Sequence, residues 1–372
     1  MSTSKRVVPF FNYPHVYKQY ENEINKAINN VCNRGAFILQ KDLEEFEENL
    51  ANYTGAKYAI GVANGTDALI IANRAAGISE GDEVIFSSHT YIATAASIYF
   101  AGGIPVPVEC QEDHMISPES VRKAITSKTK AIMPTQLNGR TCDMDSLNKI
   151  AEENGLHIIE DAAQGLGSKF NGKQAGTFGL AGTISFYPAK NLGSFGDGGA
   201  ILTSDLAMYE KMMQLRDHGR NKDGLVVTWG LNSRLDNLQA AILNLKLAYY
   251  KNEIERRREI ASIYQTNLGS ITEIKLPPSP NSDTIHFDVF QNYEIEAERR
   301  DELKKYLFER GIGTIIQWAG KTVHQFKDLK FNVSLPFTEN MIAKSLMLPM
   351  NTSLTDEDVL YVCEIVNSFY NN

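Results

Sequence analysis

Short hydrophobic runs alternate with longer amphipathic segments between about residue 40 and residue 205. Helix-like segments such as DALIIANRAAG and MDSLNKIAEENG lie between the runs, and the second ends in a glycine, as helices often do. This alternation predicts an α/β fold in which helices cover both faces of a mainly parallel sheet. The predicted strands are residues 58–63, 83–86, 130–135, 156–160, 182–187 and 199–204.

The pattern changes after Arg234. A long helical stretch, LDNLQAAILNLKLAYYKNEIERRREIASIYQTNL, is followed by the turn-rich LPPSPNSDT and then by mixed α and β segments. We therefore predict a large domain over residues 1–248, which includes the N-terminal segment, and a smaller C-terminal α+β domain over residues 249–372. A chain of 372 residues is long enough for both cores.

Composition excludes several classes of protein. The net charge is −8, whereas a nucleic-acid or anionic-membrane surface needs a clustered excess of Lys and Arg. No apolar run reaches the length of a signal peptide or of a membrane span, so we expect a cytoplasmic protein. The four cysteines are too scattered for a zinc site or a disulfide framework, and we expect no metal.

Two residues with chemical potential follow predicted strands. Asp161 comes directly after LHIIE, and Lys190 lies in GTISFYPAKNLGSFGDGGA, soon after a strand. In open α/β sheets ligands bind at the carboxyl ends of the strands, where such an amine and carboxylate could hold a pyridine ring between them. Pyridoxal 5′-phosphate (PLP) needs such a pair and also an anion cradle. ANGTDAL, with Gly65 and Thr66, could supply the cradle, although such a turn is also a common helix start.

Five segments together resemble one family, the DegT/DnrJ/EryC1/StrS sugar aminotransferases, which are PLP enzymes of fold type I. The resemblance covers nearly the whole chain and implies the aminotransferase fold with PLP as cofactor. The segments are GAFILQKDLEEFEENLANYTGAKYAIGVANGTDAL, GDEVIFSSHTYIATA, IIEDAAQGLGS, SFYPAKNLGSFGDGGA and LNSRLDNLQAAIL.

The resemblance implies roles for residues around the cofactor ring. Lys190 would form the imine with PLP and would also move the proton between the substrate carbon and the cofactor. Asp161 would pair with the pyridine nitrogen, and Gln164 would bind the ring hydroxyl. Tyr91 would stack on the ring, unless it is a buried aromatic residue of the core.

The resemblance also implies a phosphate site that two subunits share. Ser185 would join Gly65 and Thr66 on the phosphate, and Asn232 would reach the phosphate bound by the other subunit. Arg234 would bind the amino donor or the substrate, or form an interface salt bridge instead. These roles imply a homodimer as the functional unit.

The resemblance is weaker at 311–326, where many relatives carry a Tyr-Pro and His-containing stretch near the sugar. This chain reads GIGTIIQWAGKTVHQF and lacks the prolines. Trp318 could stack on a sugar or a base, or could be a core residue. Lys321 and His324 could contact a diphosphate, or could lie in a solvated loop.

The resemblance implies transfer of an amino group from an amino acid, L-glutamate by preference, to a keto group of a nucleotide-linked sugar. The motif around Lys190 resembles most the family members that aminate C3 of a 3-keto-6-deoxyhexose, which implies an acceptor of that kind. Two alternatives remain open: the same mechanism on a smaller ketone, such as a cyclitol or a phosphorylated ketone, and a PLP-binding regulatory protein without turnover.

Overall fold

A seven-stranded sheet forms the centre of the computed structural model, which describes residues 6–371. Its strands lie in the order β1-β9-β8-β5-β4-β2-β3, and β9 alone runs antiparallel to its neighbours. The predicted mainly parallel sheet is therefore confirmed, and each predicted strand agrees with an observed one to within two residues at either end. The strands are β1 (Tyr58–Val62), β2 (Glu83–Ser87), β3 (Ile104–Val108), β4 (Thr129–Met133), β5 (His157–Asp161), β8 (Ala181–Ser185) and β9 (Gly199–Thr203).

Sequence analysis did not predict β3. Its sequence is IPVPV, and proline cannot donate a hydrogen bond to a neighbouring strand. The strand lies at the edge of the sheet and pairs with β2 alone, so that one of its sides needs no donors. The prolines therefore mark an edge position rather than a loop.

Helices cover both faces of this sheet because strand side chains alternate between them. Val84 and Phe86 pack with helices α4, α5 and α8, whereas Ile85 points to the opposite face. That opposite face is covered by α3, α6, α7 and α9. The helices up to this point are α1 (Tyr13–Lys18), α2 (Glu21–Arg34), α3 (Lys41–Thr54), α4 (Gly65–Ala75), α5 (Ile92–Phe100), α6 (Pro118–Ala124), α7 (Met144–Asn154), α8 (Leu206–Arg216) and α9 (Asn237–Ala248).

The C-terminal part has a core of its own. The long helical stretch after Arg234 forms two helices that break at Tyr249, and the second, α10, packs with α13 over a small antiparallel sheet. Val8 also packs into this core, so the division of the chain at residue 248 stays a prediction. The remaining elements are α10 (Tyr250–Leu268), β10 (Ile274–Lys275), β12 (Tyr293–Ala297), α11 (Arg300–Glu309), α12 (Pro336–Lys344), β13 (Ser345–Leu348), α13 (Asp356–Asn371) and a second small sheet of β6 (Lys169–Phe170), β7 (Lys173–Gln174) and β11 (His286–Phe287).

Over residues 6–371, we find no helix that combines the length and the apolar character needed to span a membrane.

Candidate active site

The chain places Asp161 and Lys190 beside each other. Asp161 is the last residue of β5, and Lys190 lies in the loop after β8, the strand next to β5 in the sheet. Burial lowers the pKa of the Lys190 amine to about 8, against the opposing attraction of the Asp161 carboxylate. A lysine with such a pKa is neutral in about a tenth of the molecules at pH 7, far more than an ordinary lysine, and a nucleophile or a base must be neutral.

Asp161 is buried, with only 4% of its surface exposed. Burial raises its pKa, while a hydrogen bond from Thr94, a second from the Ala163 N–H and the charge of Lys190 act in the opposite direction. The Thr94 hydroxyl donates to Oδ2 at 2.6 Å, and the Ala163 N–H donates to Oδ1 at 3.2 Å. These bonds fix the carboxylate, and a further cationic donor such as a protonated pyridine nitrogen would complement its charge.

Sequence analysis missed Thr94. It lies in the first turn of α5 and is bonded to Thr90, which in turn contacts Thr135 after β4. Thr94 and Asp161 are 67 positions apart, and a threonine in a helix carries no local signal of such a contact. The only available hint was its place three residues after Tyr91.

The turn from β1 into α4 forms a small cradle. The Asn64 side chain caps the helix by accepting the Asp67 N–H at 2.8 Å, and no backbone carbonyl within residues 6–371 bonds the N–H of Gly65 or Thr66. A Cβ at Gly65 would lie 2.8 Å from the Cβ of Ser185, so these two residues are in direct contact. Free amides at a helix N-terminus and an adjacent hydroxyl fit a phosphate.

Gln164 and Tyr91 lie at the same edge of the sheet. The Gln164 amide oxygen accepts the Asn138 backbone N–H at 2.8 Å and the Asn292 amide at 3.3 Å. Its Nε2 atom has no hydrogen bond to any residue of the described chain and can donate to a bound oxygen. Tyr91 is 56% exposed at the start of α5, so the alternative of a buried core aromatic is wrong.

Asn232 lies on the surface, and Arg234 is half-buried. Asn232 is exposed, and Arg234 forms a 2.9 Å salt bridge with Asp217 of the same chain. Just before them, the loop exposes a run of large apolar residues that ends in Trp229, which is 89% exposed. The roles of Asn232 at the phosphate and of Arg234 in substrate binding stay predictions.

The three C-terminal candidates differ in accessibility. Lys321 is exposed, whereas Trp318 is half-buried with its ring centre 5.1 Å from that of His89. His324 is buried, and its two ring nitrogens contact the Ser88 hydroxyl at 2.7 Å and Glu339 at 3.0 Å. A substrate could bind the His324 ring only by displacing one of these partners, so its role in substrate binding also stays a prediction.

Comparison with known proteins agrees with this geometry. The model of the DegT/DnrJ/EryC1/StrS aminotransferase family matches residues 18–367. The chain is 39% identical over 368 residues to the dTDP-3-amino-3,4,6-trideoxy-alpha-D-glucose transaminase of Streptomyces venezuelae (97% of this chain and 96% of the relative). It is 40% identical over 369 residues to the dTDP-3-amino-3,6-dideoxy-alpha-D-galactopyranose transaminase of Aneurinibacillus thermoaerophilus (98% and 99%).

Among solved structures, the chain resembles S. venezuelae DesV in complex with a ketimine intermediate. The TM-score is 0.95 at 38% identity, over 99% of this chain and 100% of that one. The lysine, the carboxylate and the phosphate cradle described above provide the groups that PLP requires, so the residues present fit this cofactor. The chain belongs to the DegT/DnrJ/EryC1/StrS aminotransferase family and is a PLP-dependent transaminase.

Proposed function

We propose that this transaminase moves an amino group from L-glutamate to the keto group of a nucleotide-linked deoxysugar, a 3-keto-6-deoxyhexose. The observation that carries the proposal is the placement of Lys190 after β8 and of Asp161 at the end of the neighbouring strand β5, where the two groups interact electrostatically. The choice of acceptor is supported by the two relatives above, both named as transaminases of dTDP-3-amino sugars.

Each side chain at the site has a task in this reaction. Lys190 would take the α-proton from the amino donor and later return a proton to the sugar carbon, which suits an amine whose pKa is about 8. Asp161 would keep the pyridine nitrogen protonated, and Gln164 would donate to the ring hydroxyl. Gly65, Thr66 and Ser185 would hold the phosphate. When bound, PLP supplies the electron sink that makes removal of the α-proton feasible.

The visible absorption spectrum of the purified protein tests this proposal. We expect a band from the lysine-bound cofactor that disappears when L-glutamate is added and returns with one member of a panel of keto-sugar nucleotides. Return of the band only with a cyclitol ketone or a phosphorylated ketone would replace the proposed substrate with a smaller one. A band that no amino donor removes would indicate a PLP-binding regulatory protein instead.

We further propose that the active site is shared between two subunits. The support is the exposed apolar run Leu225, Val226 and Val227, together with Trp229, on the loop that leads to the exposed Asn232. Exposed apolar patches of this kind mark protein interfaces. In a homodimer the loop would be covered, and Asn232 would lie near the partner's phosphate cradle.

Mixing two inactive variants tests the shared site. Lys190→Ala and Asn232→Asp damage different parts of it, and a mixed dimer would contain one undamaged site. Random exchange of subunits should therefore restore about a quarter of wild-type activity. No recovery after exchange, with mixed dimers verified by a tag on one variant, would show that each chain completes its own site.

A further inference from the structure

A buried carboxylate in the C-terminal part of the chain joins several segments of the molecule. Glu294, on β12, is 2% exposed. Its Oε2 atom contacts His89 Nε2 at 3.1 Å and His114 Nδ1 at 3.1 Å, and it accepts the Asn138 amide at 2.7 Å. Its Oε1 atom accepts the Ser345 hydroxyl. We call these five residues the Glu294 cluster. Four partners compensate for the burial of the charge.

Asn138 connects this cluster to the candidate active site. It lies in a short 3₁₀ turn, Leu137–Gly139, in the segment that follows β4. Its φ of 54° is in the left-handed region, which asparagine tolerates better than most residues. Gly139, with a φ of 90°, has no room for a Cβ, which would lie 2.6 Å from the Gln291 nitrogen. The turn therefore holds one conformation.

The side-chain amide and the backbone N–H of Asn138 form hydrogen bonds that link the Glu294 cluster to Gln164 and its neighbours. Its Nδ2 donates to Glu294, and its Oδ1 accepts Asn292 at 2.8 Å and Gln317 at 3.0 Å. Its backbone N–H donates to Gln164. Anchoring the side chain to a fixed carboxylate therefore also fixes the direction of the backbone N–H.

The direction of that N–H decides which end of the Gln164 amide faces a ligand. Because the amide oxygen accepts both Asn138 and Asn292, turning the amide over would set donors against donors. Only the Nε2 end is then available, and an anionic ring oxygen requires a donor. We propose that Glu294 is a positioning residue that, through Asn138, holds Gln164 with its N–H toward the ring hydroxyl of the cofactor.

This inference rests on the proposed function, since it assigns Gln164 to the cofactor.

The same residues could be considered as a metal site, because His89, His114 and Glu294 offer ligand atoms that lie within 4.8 Å of one another. Three features indicate that these residues form a hydrogen-bonded cluster and not a metal site. Oε2 already accepts the Asn138 amide, and His114 Nε2 contacts Glu296 at 3.1 Å. Burial opposes protonation of His114, but its bonds to Glu294 and Glu296 outweigh this effect and raise its pKa to about 9. A doubly protonated imidazole has no lone pair for a metal.

Two variants break the connection at different points. Glu294→Gln removes the charge that anchors Asn138. Asn138→Gly keeps the backbone N–H and tolerates a positive φ, but it removes the side chain that reaches Glu294. Glu296→Gln is the matched control, because Glu296 lies on the same strand and contacts His114 and Lys275 without contacting Asn138.

The measurement is the pH midpoint at which the visible band of the lysine-bound cofactor changes. A hydrogen bond donated to the ring oxygen stabilises its anionic form, so loss of the bond should raise the midpoint by about half a pH unit or more. We expect this shift in Glu294→Gln and in Asn138→Gly, and no shift in Glu296→Gln. Gln164→Ala should show the same shift, and adding Glu294→Gln to it should produce no further change.

Several outcomes would overturn the inference. One is a wild-type midpoint in a folded Glu294→Gln protein; if that variant does not fold, a wild-type midpoint in Asn138→Gly has the same meaning. Additive shifts in the double variant, or one equivalent of zinc bound by the wild type and lost in Glu294→Gln, would also contradict it. If one of these outcomes is found while the wild type turns over normally, the inference about Glu294 fails and the proposed function stands. Absence of a cofactor band in the wild type would contradict both the inference and the proposed function.

Discussion

The cofactor-facing groups are half-buried and the Glu294 cluster is largely buried, and the two polar sites also differ in how far the protein itself satisfies them. Gly65 and Thr66 have amides, and Gln164 a side-chain nitrogen, without a partner among residues 6–371. Glu294, in contrast, has partners on both carboxylate oxygens. Unpaired donors that line an accessible site leave hydrogen bonds for a ligand to complete, whereas a buried carboxylate with both oxygens paired indicates a structural or positioning role.

Lys190→Ala should have the largest effect. Without the amine we expect turnover to fall by at least about a thousandfold, with the fold retained in circular dichroism. Lys246→Met is the matched control, because burial lowers the pKa of Lys246 to about 8 as well, yet its amine donates to the Gly193 carbonyl. Comparable losses of turnover in both variants would show that a depressed lysine pKa does not distinguish the catalytic residue.

Asp161→Asn should have the second largest effect on activity. The substitution keeps the shape of the side chain and removes its charge. We expect kcat to fall by about a hundredfold or more, because a neutral amide no longer holds the pyridine nitrogen protonated. Thr94→Val leaves the charge in place and removes one hydrogen bond, so it should cost about tenfold or less. Steady-state kinetics with L-glutamate compares the two, and equal losses would contradict an electrostatic role for Asp161.

Gly65→Ala tests the phosphate cradle. The added methyl would lie 2.8 Å from the Cβ of Ser185, and we expect it to weaken PLP binding by about ten- to a hundredfold, as measured by titration of the apoenzyme. In a Ser185→Gly background the nearest obstructing atoms are gone. The additional effect of Gly65→Ala should then become small, and an undiminished effect would place the phosphate elsewhere.

The same contrast explains what the sequence could predict. Asp161 and the cradle around Gly65 follow directly from hydrophobic strands, so that the strand pattern places them at one edge of the sheet. The Glu294 cluster gathers residues from five separated segments, and none of them carries a local signal. Glu294 occupies a buried position of β12, where the strand pattern would predict an apolar residue. Contacts of this kind depend on how the elements pack, which one sequence does not reveal.

His114 provides the smallest predicted effect and tests the Glu294 cluster by itself. Its titratable neighbours are Glu294 and Glu296 on β12, with Lys275 paired to Glu296, and His89, whose ring centre lies 5.6 Å from that of His114 and which contacts the same Glu294 oxygen. Against the opposing effect of burial, the bonds to Glu294 and Glu296 raise the pKa of His114 to about 9 in the folded protein, compared with about 6.5 in the unfolded chain.

Because the folded state holds this proton more tightly than the unfolded chain, the stabilisation from His114 is complete below about pH 6.5 and is lost as the pH rises through about 9. We expect His114→Gln to lower the free energy of unfolding by on the order of 2 kcal/mol at pH 6 and by much less near pH 10. Urea unfolding of both proteins at the two pH values measures this difference. A difference that stays constant with pH would mean that folding does not raise the pKa of His114, and a difference that grows toward pH 10 would mean that His114 is neutral in the folded protein.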